Sequence, residues 1–117
     1  MKPDTQNPQK AELDHEDLTP TELFGILSAE RRQHALIYLA QKPAAIYLGD
    51  LAEYIALKEG EPTRERYERI SVDLHHCHLP HLCGAGLVDY DAETELLELD
   101  VDRSLITPYL QLTEYTA

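Results

Sequence analysis

Between His75 and Cys83 the chain reads His75-His76-Cys77-His78-Leu79-Pro80-His81-Leu82-Cys83, which gathers four of its six histidines and both cysteines. Imidazole and thiolate are the donors that zinc prefers, and a tetrahedral site needs three or four of them converging on one point. If this stretch is helical, only residues three or four apart face the same way. That rule pairs His75 with His78, His78 with His81, and Cys77 with His81. The zinc reading therefore has His75, Cys77, His78 and His81 as candidate ligands. Its weakness is that all four come from one short segment, with no second Cys/His group elsewhere to close the site. His15 and His34 stand singly in the sequence. A pH- or redox-sensing use of the same residues is a further alternative.

The favoured reading of the cluster has no cofactor. His75 and His78 fall on the same arc as Leu74, Leu79 and Leu82 and are expected to turn toward the core. Cys77 and Cys83 are expected to be small semi-buried fillers. His76 and His81 then face outward. Enzyme chemistry is not expected. Cys77 with His81 would make a nucleophile–base pair, but no group orients the base or supplies an oxyanion hole. No Gly-rich phosphate loop or nucleophile elbow is present.

The elements that must position these residues follow from punctuation and periodicity. Thr19-Pro20-Thr21-Glu22 combines an N-cap, Pro at the first helical position and Glu at the third, a capping box that opens a short helix through Leu27. Ser28 reads as the cap of a helix to Gln41, which Pro43 ends. Ala45–Leu48 is a short β-like run, and Gly49-Asp50 starts a helix carrying Leu51, Ala52, Tyr54, Ile55 and Ala56. Thr63 caps a long helix to about Ala85, with Tyr67, Ile70, Leu74, Leu79 and Leu82 on its apolar side. Pro80 must bend that helix or begin a new turn within it. Gly86 suits the left-handed position just past the helix end. Leu87–Asp91 and Glu95–Val101 alternate around Ala92-Glu93-Thr94 as a β-hairpin. Thr107-Pro108 opens a C-terminal helix.

Two helices joined by a turn and followed by a hairpin are the pattern of a winged helix-turn-helix, mainly α with a small β-hairpin. Three segments are expected: a disordered polar tail over 1–17, the winged domain over 18–103, and a C-terminal helix over 104–117. Tyr109, Leu110, Leu112 and Tyr115 form an apolar stripe on that last helix, read as a homodimer contact, with capping of the protomer's own core as the alternative.

The 117 residues suffice for one modest core, and 43 % of them are apolar. The net charge is −12, from 22 acidic and 10 basic side chains. That excess repels polyanions in dilute buffer, and in concentrated salt it is largely screened. No apolar run is long enough to span a bilayer. The N-terminal residues lack the apolar stretch of a signal peptide. No membrane partner is expected, and the location expected is the cytoplasm, with free thiols.

Ser28-Ala29-Glu30-Arg31-Arg32, Leu48-Gly49-Asp50-Leu51-Ala52-Glu53 and Leu74–Leu82 leading to Ala85-Gly86-Leu87-Val88-Asp89-Tyr90-Asp91 resemble a haloarchaeal winged-helix family that carries a domain-of-unknown-function label. The resemblance covers roughly residues 20–101. His78-Leu79, Leu82 and Ala85–Val88 more distantly resemble the end of the recognition helix in ArsR-type repressors. The family implies a winged-helix fold and a role in transcription, and it supplies no ligand, operator or catalytic residue.

Together these readings give a DNA-binding regulator of a halophilic archaeon whose 63–85 helix enters the major groove. Arg66, Arg69, Asp73, His76 and Pro80 lie opposite the core, with Cys77 and His81 at the edge. Arg64, Arg66, Arg69, His76, His81 and Arg103 are the candidate contacts to duplex DNA. The bland alternative is a solvated face with i,i+4 pairs such as Glu65 with Arg69 and Arg69 with Asp73. The wing tip, Asp91–Glu95, has three carboxylates and no cation, which favours a winged helix that binds a protein partner instead.

Overall fold

The computed structural model describes residues 18–116, with side chains described through residue 113. The tail expected to be disordered over 1–17, and the side chain of Tyr115, lie outside the described residues.

Helix α1 (Pro20–Ile26) opens on the capping box expected from sequence: Thr19 Oγ1 accepts the Glu22 N–H at 3.1 Å and Glu22 Oε1 accepts the Thr19 N–H at 3.0 Å. Helix α2 (Glu30–Gln41) is capped at Ala29 without a side-chain bond. Ser28 is therefore not its cap, because its hydroxyl donates backward to the Gly25 carbonyl at 2.7 Å and closes α1. Two side chains from the first turn of α2 finish the same job. Arg32 Nε donates to the Ile26 carbonyl at 2.8 Å and Gln33 Nε2 to the Leu27 carbonyl at 2.6 Å. The carbonyls that α1 leaves without helical partners are thus satisfied by the next helix.

Strand β1 (Ile46–Tyr47) leads directly into α3 (Leu48–Lys58), one residue earlier than Gly49 suggested. At Gly49 an added Cβ would lie 2.9 Å from the Tyr67 hydroxyl, so a side chain there would push α3 from its neighbour. That neighbour, α4 (Arg64–Asp73), is capped by Thr63 Oγ1, which accepts the Arg66 N–H at 3.1 Å.

The long helix does not run on as a regular α-helix. Residues Leu74–His78 form a π turn, and α5 (Leu79–Gly84) follows. Pro80 has no N–H to donate to the His76 carbonyl, and in a regular helix its ring would press on that oxygen. A π turn answers both problems by letting the Leu79 N–H reach five residues back to the Leu74 carbonyl. The chain then leaves α5 through a Schellman ending: Gly86 N–H to the Cys83 carbonyl and Leu87 N–H to the Leu82 carbonyl, both 3.0 Å, with Gly86 at φ 78°. Nothing lies near a Cβ added at Gly86. Gly86→Ala should therefore cost only the left-handed backbone penalty, about 1–2 kcal/mol, read as a lower urea midpoint at unchanged m-value.

Strands β2 (Val88–Asp91) and β3 (Leu96–Leu99) make the expected hairpin, and β1 adds a third strand that the sequence pattern alone did not assign to the sheet. All pairs are antiparallel in the order β1–β3–β2, with Leu97 opposite both Ile46 and Tyr90. Helix α6 (Arg103–Thr116) starts earlier than Thr107-Pro108 suggested. Asp102 Oδ1 supplies the cap, accepting from the Ser104 N–H and hydroxyl at 3.0 Å each. Pro108 sits inside the helix, where Thr107 Oγ1 donates to the Arg103 carbonyl.

The core is aliphatic. Leu36, Leu51, Ile55, Ile70, Leu74, Leu82, Leu87, Leu97 and Ile106 are fully buried, drawn from α2, α3, the 64–84 helix, the bend before β2, the sheet and α6. Helix, short strand, helix, long helix and hairpin in this sheet order are the arrangement of a winged helix-turn-helix. Among the described residues no helix is long and apolar enough to cross a membrane.

Candidate nucleic-acid interface

The π turn decides which way the His/Cys cluster points. Because it is wider than an α turn, His78 and Leu79 both come to lie above Leu74, and all three are buried. His75, expected inside, is swung out and exposed. Its ring meets His76 edge-on with centroids 4.9 Å apart and Tyr90 of the wing at 6.1 Å. Cys77 and Cys83 are exposed free thiols rather than semi-buried fillers. Desolvation, and then the Asp89 and Asp100 carboxylates, push the Cys83 thiol up, so it resists becoming a thiolate.

The six candidate DNA contacts separate into two groups. Arg64 and Arg69 point into solvent with 89 % and 67 % of their side chains exposed. Among the described residues each is held only by an i,i+4 partner, Glu68 at 3.2 Å and Glu65 at 3.4 Å. Such pairs are worth about 0.3–0.5 kcal/mol and can be exchanged for a phosphate. His76 and His81 are also exposed. Residues 69 and 72 follow at helical spacing on one outer face, where Val72 is exposed as well, and exposed His76 lies beyond them within the π turn.

Arg66 and Arg103 are committed elsewhere. Arg66 bridges Glu59, at 2.9 Å, and Glu61, which ties the start of α4 to the end of α3. Arg103 Nε donates to the Ala40 carbonyl at 2.7 Å and Nη2 to the Lys42 carbonyl, closing the C-terminus of α2. The wing tip runs Asp91-Ala92-Glu93-Thr94-Glu95, all exposed. Glu95 takes φ 62° there.

Behind the outer face lies a charged network that sequence reasoning did not find. Arg31 grips Glu59 with two bonds, Nε to Oε2 at 2.6 Å and Nη2 to Oε1 at 3.0 Å, and extends Nη1 to Asp73 Oδ2 at 2.9 Å. Asp73 thus faces α2 and is not the partner of Arg69. The same Oδ2 accepts His78 Nε2 at 2.8 Å, while His78 Nδ1 lies 3.4 Å from Arg32 Nη1. Those partners fix the neutral tautomer, with the proton on Nε2 and the lone pair of Nδ1 toward Arg32. Burial holds the His78 pKa down against the pull of Asp73, and Arg32 and Arg31 add to the depression. No local pattern signals this network, because Arg31 meets partners 28 and 42 positions away.

Asp73, Cys77 and His78 each bring one ligand-type atom to within 4.8 Å of the others. Two of the four residues named for a zinc site, Cys77 and His78, are therefore brought together, and Asp73 joins them. His75 and His81 do not belong to that group.

The apolar stripe on α6 also divides. Leu110 is buried in the protomer's own core, Tyr109 packs edge-on against Phe24 with centroids 5.4 Å apart, and Leu112 is exposed.

A family model described as a domain of unknown function (DUF7344) matches residues 24–98, from within α1 to within β3. No curated protein and no solved structure matches the chain.

Proposed function

The chain belongs to the DUF7344 family, and we propose that it is a non-catalytic transcriptional regulator reading duplex DNA with the 64–84 helix in the salt-rich cytoplasm of a halophilic archaeon. The observation that carries this reading is the outer face of that helix. Among the described residues Arg69 is held there only by a weak, exposed pair, Arg64 is held in the same way at the start of the helix, and His76 is exposed further along it. In a winged helix this is the face that reaches base edges and phosphates. Net charge −12 sets the conditions, since at molar salt repulsion beyond about 3 Å is screened. Counterion release contributes little there, so base contacts must carry the affinity.

Arg69→Ala combined with His76→Ala should weaken a mobility shift on the protein's own promoter, in multimolar KCl, at least about tenfold. The fold should be unchanged by circular dichroism. Arg103→Ala, which removes only a helix-closing side chain, should leave DNA affinity unaltered. Absence of any shift with every genomic fragment overturns the DNA reading. The second reading is a winged helix that docks a protein, favoured by the acidic wing tip and by exposed Val72 on the same face. The shift assay separates the two, because a protein-docking module gives no retarded band.

A further inference from the structure

We infer that Asp73, Cys77 and His78 form a zinc-class metal site on the flank of the long helix, assembled by the π turn. In a regular α-helix, residues four and five ahead do not both lie above the residue they follow. The wider π turn sets positions 77 and 78 on either side of the line above Asp73, and the three ligand atoms come within 4.8 Å of one another. A π turn of this kind is a recurrent feature of functional sites. This site does not depend on what the outer face of the helix binds.

The donor set is one thiolate, one imidazole and one carboxylate, which suits zinc with a water in the fourth position. Tetrahedral coordination at about 2.0–2.3 Å places donor atoms roughly 3.5 Å apart. Asp73 and His78 must open slightly from their 2.8 Å contact, and the exposed Cys77 side chain must swing inward. The surroundings are already arranged for this. Arg31 holds Asp73 through Oδ2 and leaves Oδ1 available, the kind of outer bond that orients a ligating carboxylate. The two anionic ligands match the ion's own double charge, and Glu59 already pairs with Arg31.

The proton balance is explicit. The ion takes His78 Nε2, so the imidazole proton moves to Nδ1, and the Arg32 Nη1 contact at 3.4 Å gives way while Arg32 Nε stays on the Ile26 carbonyl. Cys77 binds as the thiolate and releases one proton to solvent.

Cobalt(II) titration of the full chain reads the site directly, because a thiolate–cobalt bond gives a charge-transfer band in the near ultraviolet. One equivalent should develop that band. Cys77→Ser should abolish it while leaving the fold intact, since the side chain is exposed, and Cys83→Ser should leave it unchanged. Pro80→Ala, which lets the regular α ladder return, should weaken cobalt binding at least tenfold. Cobalt binding should release one proton per ion, and zinc should then displace the cobalt with no further proton release. No band in the folded wild-type chain overturns the site. So does a band that survives Cys77→Ser or follows Cys83, or cobalt affinity unmoved by Pro80→Ala.

Discussion

Replacing Arg31 by alanine should lower the unfolding free energy by about 2–3 kcal/mol, a large part of the 5–15 kcal/mol typical of a domain. The reason is geometric. One guanidinium joins three helices, with α2 donating two bonds to Glu59 at the end of α3 and one to Asp73 at the end of α4. The Arg31 and Glu59 side chains are only 23 % and 17 % exposed, so alanine strands a carboxylate that water reaches poorly. Arg66 still covers one Glu59 oxygen, which keeps the loss below that of an isolated buried charge.

The same variant should change the acid limb of stability. The hydrogen bonds from Arg31 hold the Glu59 carboxyl below its ordinary value of 4.5. Its contribution is therefore present in full above that value and lost as pH falls through the depressed native one. Arg31→Ala should flatten the stability profile in that acidic window, and by easing the depression of His78 it should also reduce the slope just below pH 6.5. Urea denaturation across pH measures both effects, with Arg64→Ala as comparator. A loss no larger than that of Arg64→Ala, whose pair is fully solvated, would show the network to be energetically idle.

The largest single loss is expected from Leu97→Ala, about 3–5 kcal/mol. Leu97 sits fully buried on the central strand of the sheet, opposite Ile46 on one side and Tyr90 on the other. Truncation removes apolar surface and opens a cavity that two strands and a helical layer cannot close together. Thermal unfolding should shift down by about 10–20 °C. Leu99→Ala, on the same strand but only partly buried, should cost less than half as much. Equal losses at the two positions would place the core away from the central strand.

Much of the architecture was legible because its signals are local. Thr19 with Glu22, Thr63 and Gly86 each act within one turn of backbone, and each does in the structure what its residue type predicts. The apolar arc of Ile70, Leu74, Leu79 and Leu82 was equally readable, since burial on one side leaves a period in the sequence. The errors arose where a local signal had a distant competitor. Thr107-Pro108 resembles a helix start, but Asp102 caps first and Pro108 is carried inside α6. Ser28 resembles a cap, but the Gly25 carbonyl takes its hydroxyl. His75 was turned inward by a 3.6-residue count that does not hold across a π turn.

The sequence by itself determined the order of elements, the helix ends at Thr19, Thr63 and Gly86 and the aliphatic faces, because capping, turn and periodicity act between near neighbours. Only the tertiary structure decided which charges are spoken for. Arg66 and Arg103 are closed into the fold while Arg64 and Arg69 remain in solvent, and Asp73 turns from the outer face to meet Arg31 and His78. Those outcomes depend on helices packed across dozens of residues and on how the chain passes Pro80. No spacing rule along one helix contains them.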